Sequence, residues 1–152
     1  MARPGYETGT GFLLSRLGTL VERAWRSVLE DHGLTQIEYA VIAVLKAHGA
    51  LGQARLAELI AVDGRNLVPI VASLARRRLI EREGDPSDGR RRFIALSEQG
   101  RDVSARVGRA ARASETRFLS GLQPEERDAL NALLRRVYDG HTGAPEDRTA
   151  NN

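Results

Sequence analysis

The residues best equipped for chemistry in this chain are arginines, and they are grouped. Between Arg55 and Arg92 stand nine arginines and six acidic residues, while the rest of the chain balances 14 basic against 14 acidic residues. The whole formal charge of +3 therefore arises in one quarter of the sequence. Of the 23 basic residues 22 are Arg, with Lys46 the exception. Codon bias accounts for such an excess as a whole, so the placement of the charge is the more informative feature. On a helical wheel of about 100° per residue, Leu67, Ile70, Val71 and Leu74 fall on one side, whereas Arg65, Pro69, Ala72, Ser73 and Arg76 fall opposite, with Asn66 at the flank. Arginine and asparagine on such a face donate to phosphates and base edges, and small residues allow close approach. A solvated surface face is the competing reading. Such faces usually carry Glu, and none occurs between Asn66 and Arg78.

A second group follows. Asp85-Pro86-Ser87-Asp88-Gly89-Arg90-Arg91-Arg92 sets acids before three arginines in a run of turn residues. A hairpin tip of this kind presents Arg to a narrow minor groove, where the potential is most negative. Asp88, two residues before Arg90, is placed to orient its guanidinium. A charged solvent loop is the alternative. Other chemistries are poorly provided for. The absence of cysteine excludes disulfides, thiolate metal sites and thiol catalysis. His32, His48 and His141 lie far apart, so a zinc site would need scattered carboxylates. No glycine-rich phosphate loop follows a strand, so an enzyme is disfavoured, and neither a cofactor nor a metal is expected.

These groups need elements to position them. Helical spacing of Leu13, Leu17, Leu20/Val21, Ala24 and Val28 predicts a helix from Phe12 to about Glu30, ended by Gly33. Thr35-Gln36-Ile37-Glu38 reads as a capping box opening a second helix that stops near Gly49. A short helix over 53–61 and a tight turn lead to Asp63, a good N-cap for a helix from Gly64 to Arg77. Pro69 within that helix either bends it or marks a later start. Residues 79–83 and 92–96 read as a hairpin, Ser97 caps a long helix to about Ser120, and Pro124-Glu125-Glu126 opens a last one. The expected organisation is an N-terminal arm over 1–11, a dimerisation helix over 12–34, a winged helix-turn-helix over 35–97, dimerisation helices over 98–139 and a disordered tail over 140–152. The fold class is mainly α with a small β-hairpin wing. No apolar run reaches the ~20 residues of a membrane span, and a signal peptide is not evident, so a soluble cytoplasmic protein is expected.

This order resembles the MarR family of bacterial transcription regulators over about residues 12–139. The most specific stretch is Leu74-Ala75-Arg76-Arg77-Arg78-Leu79-Ile80-Glu81-Arg82, then Asp85-Pro86-Ser87-Asp88-Gly89-Arg90-Arg91 and Leu96-Ser97-Glu98-Gln99-Gly100. It is similar to the family's recognition-helix end, D-P-x-D-x-R wing and L-[ST]-x-x-G exit. Arg78 departs from the pattern, which usually has glycine there. The resemblance implies a homodimer, each chain presenting one winged helix to a pseudo-palindromic operator in double-stranded DNA. It places Arg65, Asn66, Ser73 and Arg76 on the DNA-contacting helix, makes Arg90 the wing-tip arginine and Asp88 its partner; Pro69, Arg77, Arg91 and Arg92 complete the candidate set. Phe12, Leu13, Leu17, Phe118, Leu122, Leu130, Leu134 and Val137 are candidates for the dimer interface. It further implies modulation by a small, often aromatic, ligand. Arg16, Trp25, His32 and Tyr39 are candidates to hold one, with core packing or helix capping as the alternative for each. A winged-helix interaction or ligand-binding module that does not bind DNA is the rival function.

Overall fold

A computed structural model describes residues 9–84 and 92–142. The elements are α1 (Thr10–Asp31), α2 (Gln36–His48), β1 (Leu51–Gly52), α3 (Gln53–Leu59), α4 (Gly64–Arg76), β2 (Ile80–Gly84), β3 (Arg92–Leu96), α5 (Glu98–Phe118) and α6 (Pro124–Thr142). The chain divides into two compact units between Ser114 and Glu115.

In the first unit, the helix-turn-helix is built as its sequence signals require. Thr35 caps α2 in a complete capping box, its hydroxyl accepting from the Glu38 amide and the Glu38 carboxylate accepting from the Thr35 amide. Asp63 caps α4 by accepting the Arg65 amide at 2.8 Å. The core joins α2, α3 and α4 through Val41, Ile42, Leu56, Leu67, Val71 and Leu74, all fully buried. Each such aliphatic side chain contributes about 1.5–3 kcal/mol by leaving water. Leu79 from the link between α4 and β2, Ile94 and Leu96 from β3 and Val107 from α5 close the cluster.

Three features differ from expectation. The hairpin is part of a three-stranded antiparallel sheet in the order β1-β3-β2, with Leu51 opposite Ile94. Two residues carry no periodicity, so β1 leaves no pattern to read. Helix α1 begins at Thr10, within the stretch expected to be an arm, and α6 continues through Gly140 to Thr142, into the expected tail. The remaining residues of those two segments lie outside the described residues.

The ends of α1 and α4 show one physical solution with two different residues. Each closes with paired backbone bonds: Gly33 N–H to Glu30 O and Leu34 N–H to Leu29 O after α1, and Arg78 N–H to Ala75 O and Leu79 N–H to Leu74 O after α4. This closure needs a left-handed residue. Gly33 adopts it freely at φ 64°, whereas Arg78 adopts it at φ 57° against its own Cβ. Arg78→Gly is therefore expected to stabilise the fold by about 1 kcal/mol, read as a rise of about 2–4 °C in melting temperature.

In the second unit, Gln123 N–H bonds Glu126 and Arg127 Nε bonds Leu122 O, fixing the turn into α6. Pro124, Glu125 and Glu126 occupy its first turn, where a missing N–H and negative charge are both favourable.

Candidate nucleic-acid interface

Helix α4 separates its two faces cleanly. Leu67, Val71 and Leu74 are buried, while Arg65, Asn66, Val68, Pro69 and Arg76 are exposed. The helix is continuous through Pro69, whose ring lies on the exposed side. Its missing N–H leaves the Arg65 carbonyl without its intrahelical donor, and on an exposed face water or a ligand supplies the replacement.

Arg65 is the best-defined side chain of this face. Although 92% exposed, it is held by Asp63, whose Oδ1 accepts from Nε and whose Oδ2 accepts from Nη2, both at 3.2 Å. Those bonds, with the one from the Arg65 amide, hold the Asp63 carboxyl below its ordinary range. Asp63 therefore has two duties, capping the helix and fixing the direction of its first arginine.

Ser73 and Arg77 do not share the outer face. Ser73 Oγ donates to Glu38 Oε1 at 3.1 Å. Arg77 Nη1 donates to both Glu38 oxygens at 3.2 and 3.3 Å, and its Nη2 reaches Gly33 O at 2.7 Å. The wheel weighs α4 against a single core, but the start of α2 packs along its flank and brings a buried carboxylate that needs donors. Burial pushes the Glu38 carboxyl up, and the Thr35 amide, the Ser73 hydroxyl and Arg77 together outweigh it, leaving the group below its ordinary value. In the sequence Glu38 carries only a capping signal, and Val68 lies outside the apolar stripe of the wheel.

Arg92 opens β3, is exposed, and lies opposite Gly84 in the hairpin register. Asp88, Arg90 and Arg91 lie outside the described residues.

The candidate ligand residues are only partly brought together. A groove of about 260 Å³ between α1 and the start of α2 is lined by Trp25, Leu29, Leu34, Thr35 and Gln36, with Glu22, Arg26 and Glu30. Tyr39 stands edge-on to Trp25, ring centroids 4.9 Å apart. His32 Nδ1 lies 2.8 Å from Val28 O, in hydrogen-bond contact with the end of its own helix. Arg16 is exposed further toward the start of α1. Of the interface candidates, Leu13 and Leu17 are exposed on α1 and Phe12 is half-buried. In the second unit Phe118, Leu122 and Leu130 are half-buried, and Leu134 and Val137 are exposed. Among the described residues no group of His, Asp and Glu is placed to hold a metal ion, and no helix is long and apolar enough to cross a membrane.

Residues 32–91, from just after α1 to the residue before β3, match the MarR family pattern. The transcriptional repressor NicR of Pseudomonas putida is 32% identical over 114 residues, covering 75% of this chain and 72% of NicR. The chain belongs to the MarR family. As a MarR-type transcriptional regulator it is also similar to PcaV of Streptomyces coelicolor, solved in complex with its natural ligand. The two are 31% identical, with 91% of this chain and 98% of PcaV covered and a TM-score of 0.59. BpsR of Bordetella bronchiseptica, whose DNA binding is regulated by 6-hydroxynicotinic acid, is 25% identical with 91% and 99% covered and a TM-score of 0.62. This MarR chain keeps the winged-helix architecture of those regulators, a mostly helical body with a small antiparallel sheet.

Proposed function

We propose that this chain is a homodimeric, sequence-specific DNA-binding regulator, acting as a cytoplasmic repressor, whose operator affinity is set by a small aromatic ligand. The observation that carries the reading is the exposed face of α4. It offers Arg65, Asn66 and Arg76 together with the apolar Val68 and Pro69, on a helix anchored by the fully buried Leu67, Val71 and Leu74. That is the composition a major-groove helix needs: donors for base edges and phosphates, and low side-chain bulk between them. Arg90 and Arg91, by their place in the sequence, extend the contact to the flanking minor groove.

Dimerisation rests on unpartnered apolar surface. Leu13, Leu14, Leu17, Leu20 and Val21 recur at helical spacing on α1 and are each more than 40% exposed, and in the other unit Leu133, Leu134, Val137 and Tyr138 are exposed on α6. Exposed apolar stripes of this kind, one in each unit, favour association. Ligand modulation has a physical route within the first unit. Thr35 lines the groove and donates to Glu38, and Glu38 is bonded to Ser73 and Arg77 at the end of α4. The ligand-bound state of PcaV supports a small-molecule effector, and the regulation of BpsR by 6-hydroxynicotinic acid supports an aromatic one.

Titration of a duplex that the protein selects from a random-sequence library tests this reading. Binding should weaken steeply with salt, and Arg76→Ala should weaken every duplex by a similar factor while reducing the salt slope by about two, one for each half-site. Failure to enrich any duplex overturns it.

A further inference from the structure

Two side chains on the exposed face of α4 are built in ways that a general anion-binding surface does not require. Arg65 is the first. A guanidinium meant for phosphate profits from its full charge, whereas this one is paired with the Asp63 carboxylate through Nε and Nη2. Pairing removes much of the attraction to a phosphate and keeps the directionality. The end of the fork, Nη1 with the second hydrogen of Nη2, points away from those two bonds, and that end matches the O6 and N7 acceptors of guanine. A nearby carboxylate also repels misplaced phosphate oxygens and so penalises a wrong approach.

Val68 is the second. It is β-branched, lies in a helix interior and is 51% exposed, so it serves neither helix propensity nor the core. It sits one turn after Arg65, the spacing that sets two side chains next to each other on a helix, so an exposed apolar spot stands beside the arginine. In a major groove the apolar group available to such a spot is the C5-methyl of thymine. Val68 lies three residues beyond Arg65, a rise of about 4.5 Å along the helix, comparable to a base step of about 3.4 Å. The two side chains therefore address base pairs that are adjacent or one apart.

We infer that Asp63-held Arg65 and Val68 together set the operator sequence, reading a guanine and a thymine methyl one or two base pairs apart in each half-site. The inference rests on the DNA-binding reading above and deepens it to two bases. It assigns Asp63 a positioning role in specificity, and Val68 a direct one.

The test uses the full chain and a duplex selected by it from a random-sequence library, with affinities measured by fluorescence anisotropy. Each thymine is replaced in turn by uracil, which lacks only the methyl group, and each guanine by 7-deazaguanine, which lacks only the N7 acceptor. One thymine per half-site should show about a fourfold loss on conversion to uracil, the worth of one buried methyl group. Within two base pairs of it, one guanine should show about a tenfold loss on conversion to 7-deazaguanine. Val68→Ala should bind the thymine and uracil duplexes alike. Asp63→Asn keeps a good N-cap and should narrow the preference for guanine over adenine at the paired position. A melting curve on each variant separates these effects from loss of fold. Uracil tolerated at every position, or a uracil penalty undiminished in Val68→Ala, overturns the inference while leaving the DNA-binding reading intact. No enriched duplex overturns both.

Discussion

Gly100→Ala is expected to cost about 3 kcal/mol or more of folding stability, placing it in the tail of single-residue effects. Gly100 is buried, and a Cβ built on it would lie 2.0 Å from the Leu79 carbonyl oxygen, 3.0 Å from the Leu79 carbonyl carbon and 3.3 Å from Leu96 Cδ2. The first two contacts are backbone, and that backbone is held from several sides. Leu79 N–H is bonded to Leu74 O, Leu79 O accepts from Ser97 N–H, and Ser97 Oγ donates to Arg78 O at 2.6 Å and accepts from Gly100 N–H at 3.0 Å. Relief of the clash therefore requires the end of α4, the start of β2 and the start of α5 to part. Urea denaturation should show a lowered midpoint at nearly unchanged slope. Gly108→Ala is the internal control. It lies in the same helix, and the nearest atom to its Cβ would be the flexible end of Arg112 at 3.7 Å. Alanine there should be neutral or stabilise by up to about 1 kcal/mol through helix propensity.

Glu38→Ala should cost about 2–3 kcal/mol. The substitution strands the Ser73 hydroxyl, the Thr35 amide and one edge of Arg77, all of which now point at the carboxylate. The loss stays below the ~3–5 kcal/mol of a fully buried pair. The Arg77 side chain is 37% exposed and still bonds Gly33 O, so it turns partly to water. Glu38→Gln keeps an acceptor and removes the charge, and its cost should be smaller, about 1 kcal/mol. Acid separates charge from shape. The folded-state carboxyl titrates below its ordinary 4.5, so its stabilisation is complete above that value and disappears as pH falls through the lowered one. The gap in stability between wild type and Glu38→Gln should accordingly narrow below about pH 4.5. A gap that persists in strong acid would assign the effect to packing.

Much of this architecture is legible in residue order because it is encoded locally. The Thr35–Glu38 box, the Asp63 cap, the Ser97 cap and the apolar stripe of α4 each depend on neighbours within about one helical turn, where spacing alone decides the geometry. The parts that are not legible depend on distant partners. Ser73 and Arg77 turn to Glu38, which is 35 and 39 residues away, and no wheel drawn for one helix contains that neighbour. Strand β1 exists because Leu51 and Gly52 meet β3, not because two residues prefer extension. Arg78 takes the left-handed conformation because Leu79 must return to Leu74, so the closure overrides the residue. The groove beside Trp25 is set by how α1 crosses α2. That is why Trp25 lines it, while Arg16 and His32, similar candidates by type, do not.

The exposed face of α4, presented twice by a dimer, is proposed to read DNA. Hydroxyl-radical footprinting of a selected duplex tests it most directly. Two protected stretches related by a two-fold axis are expected, with their centres about 34–36 Å apart along the duplex, one helical turn, and both should be lost in Arg65→Ala. A single protected stretch, or a two-fold pattern that Arg65→Ala leaves unchanged, would contradict it.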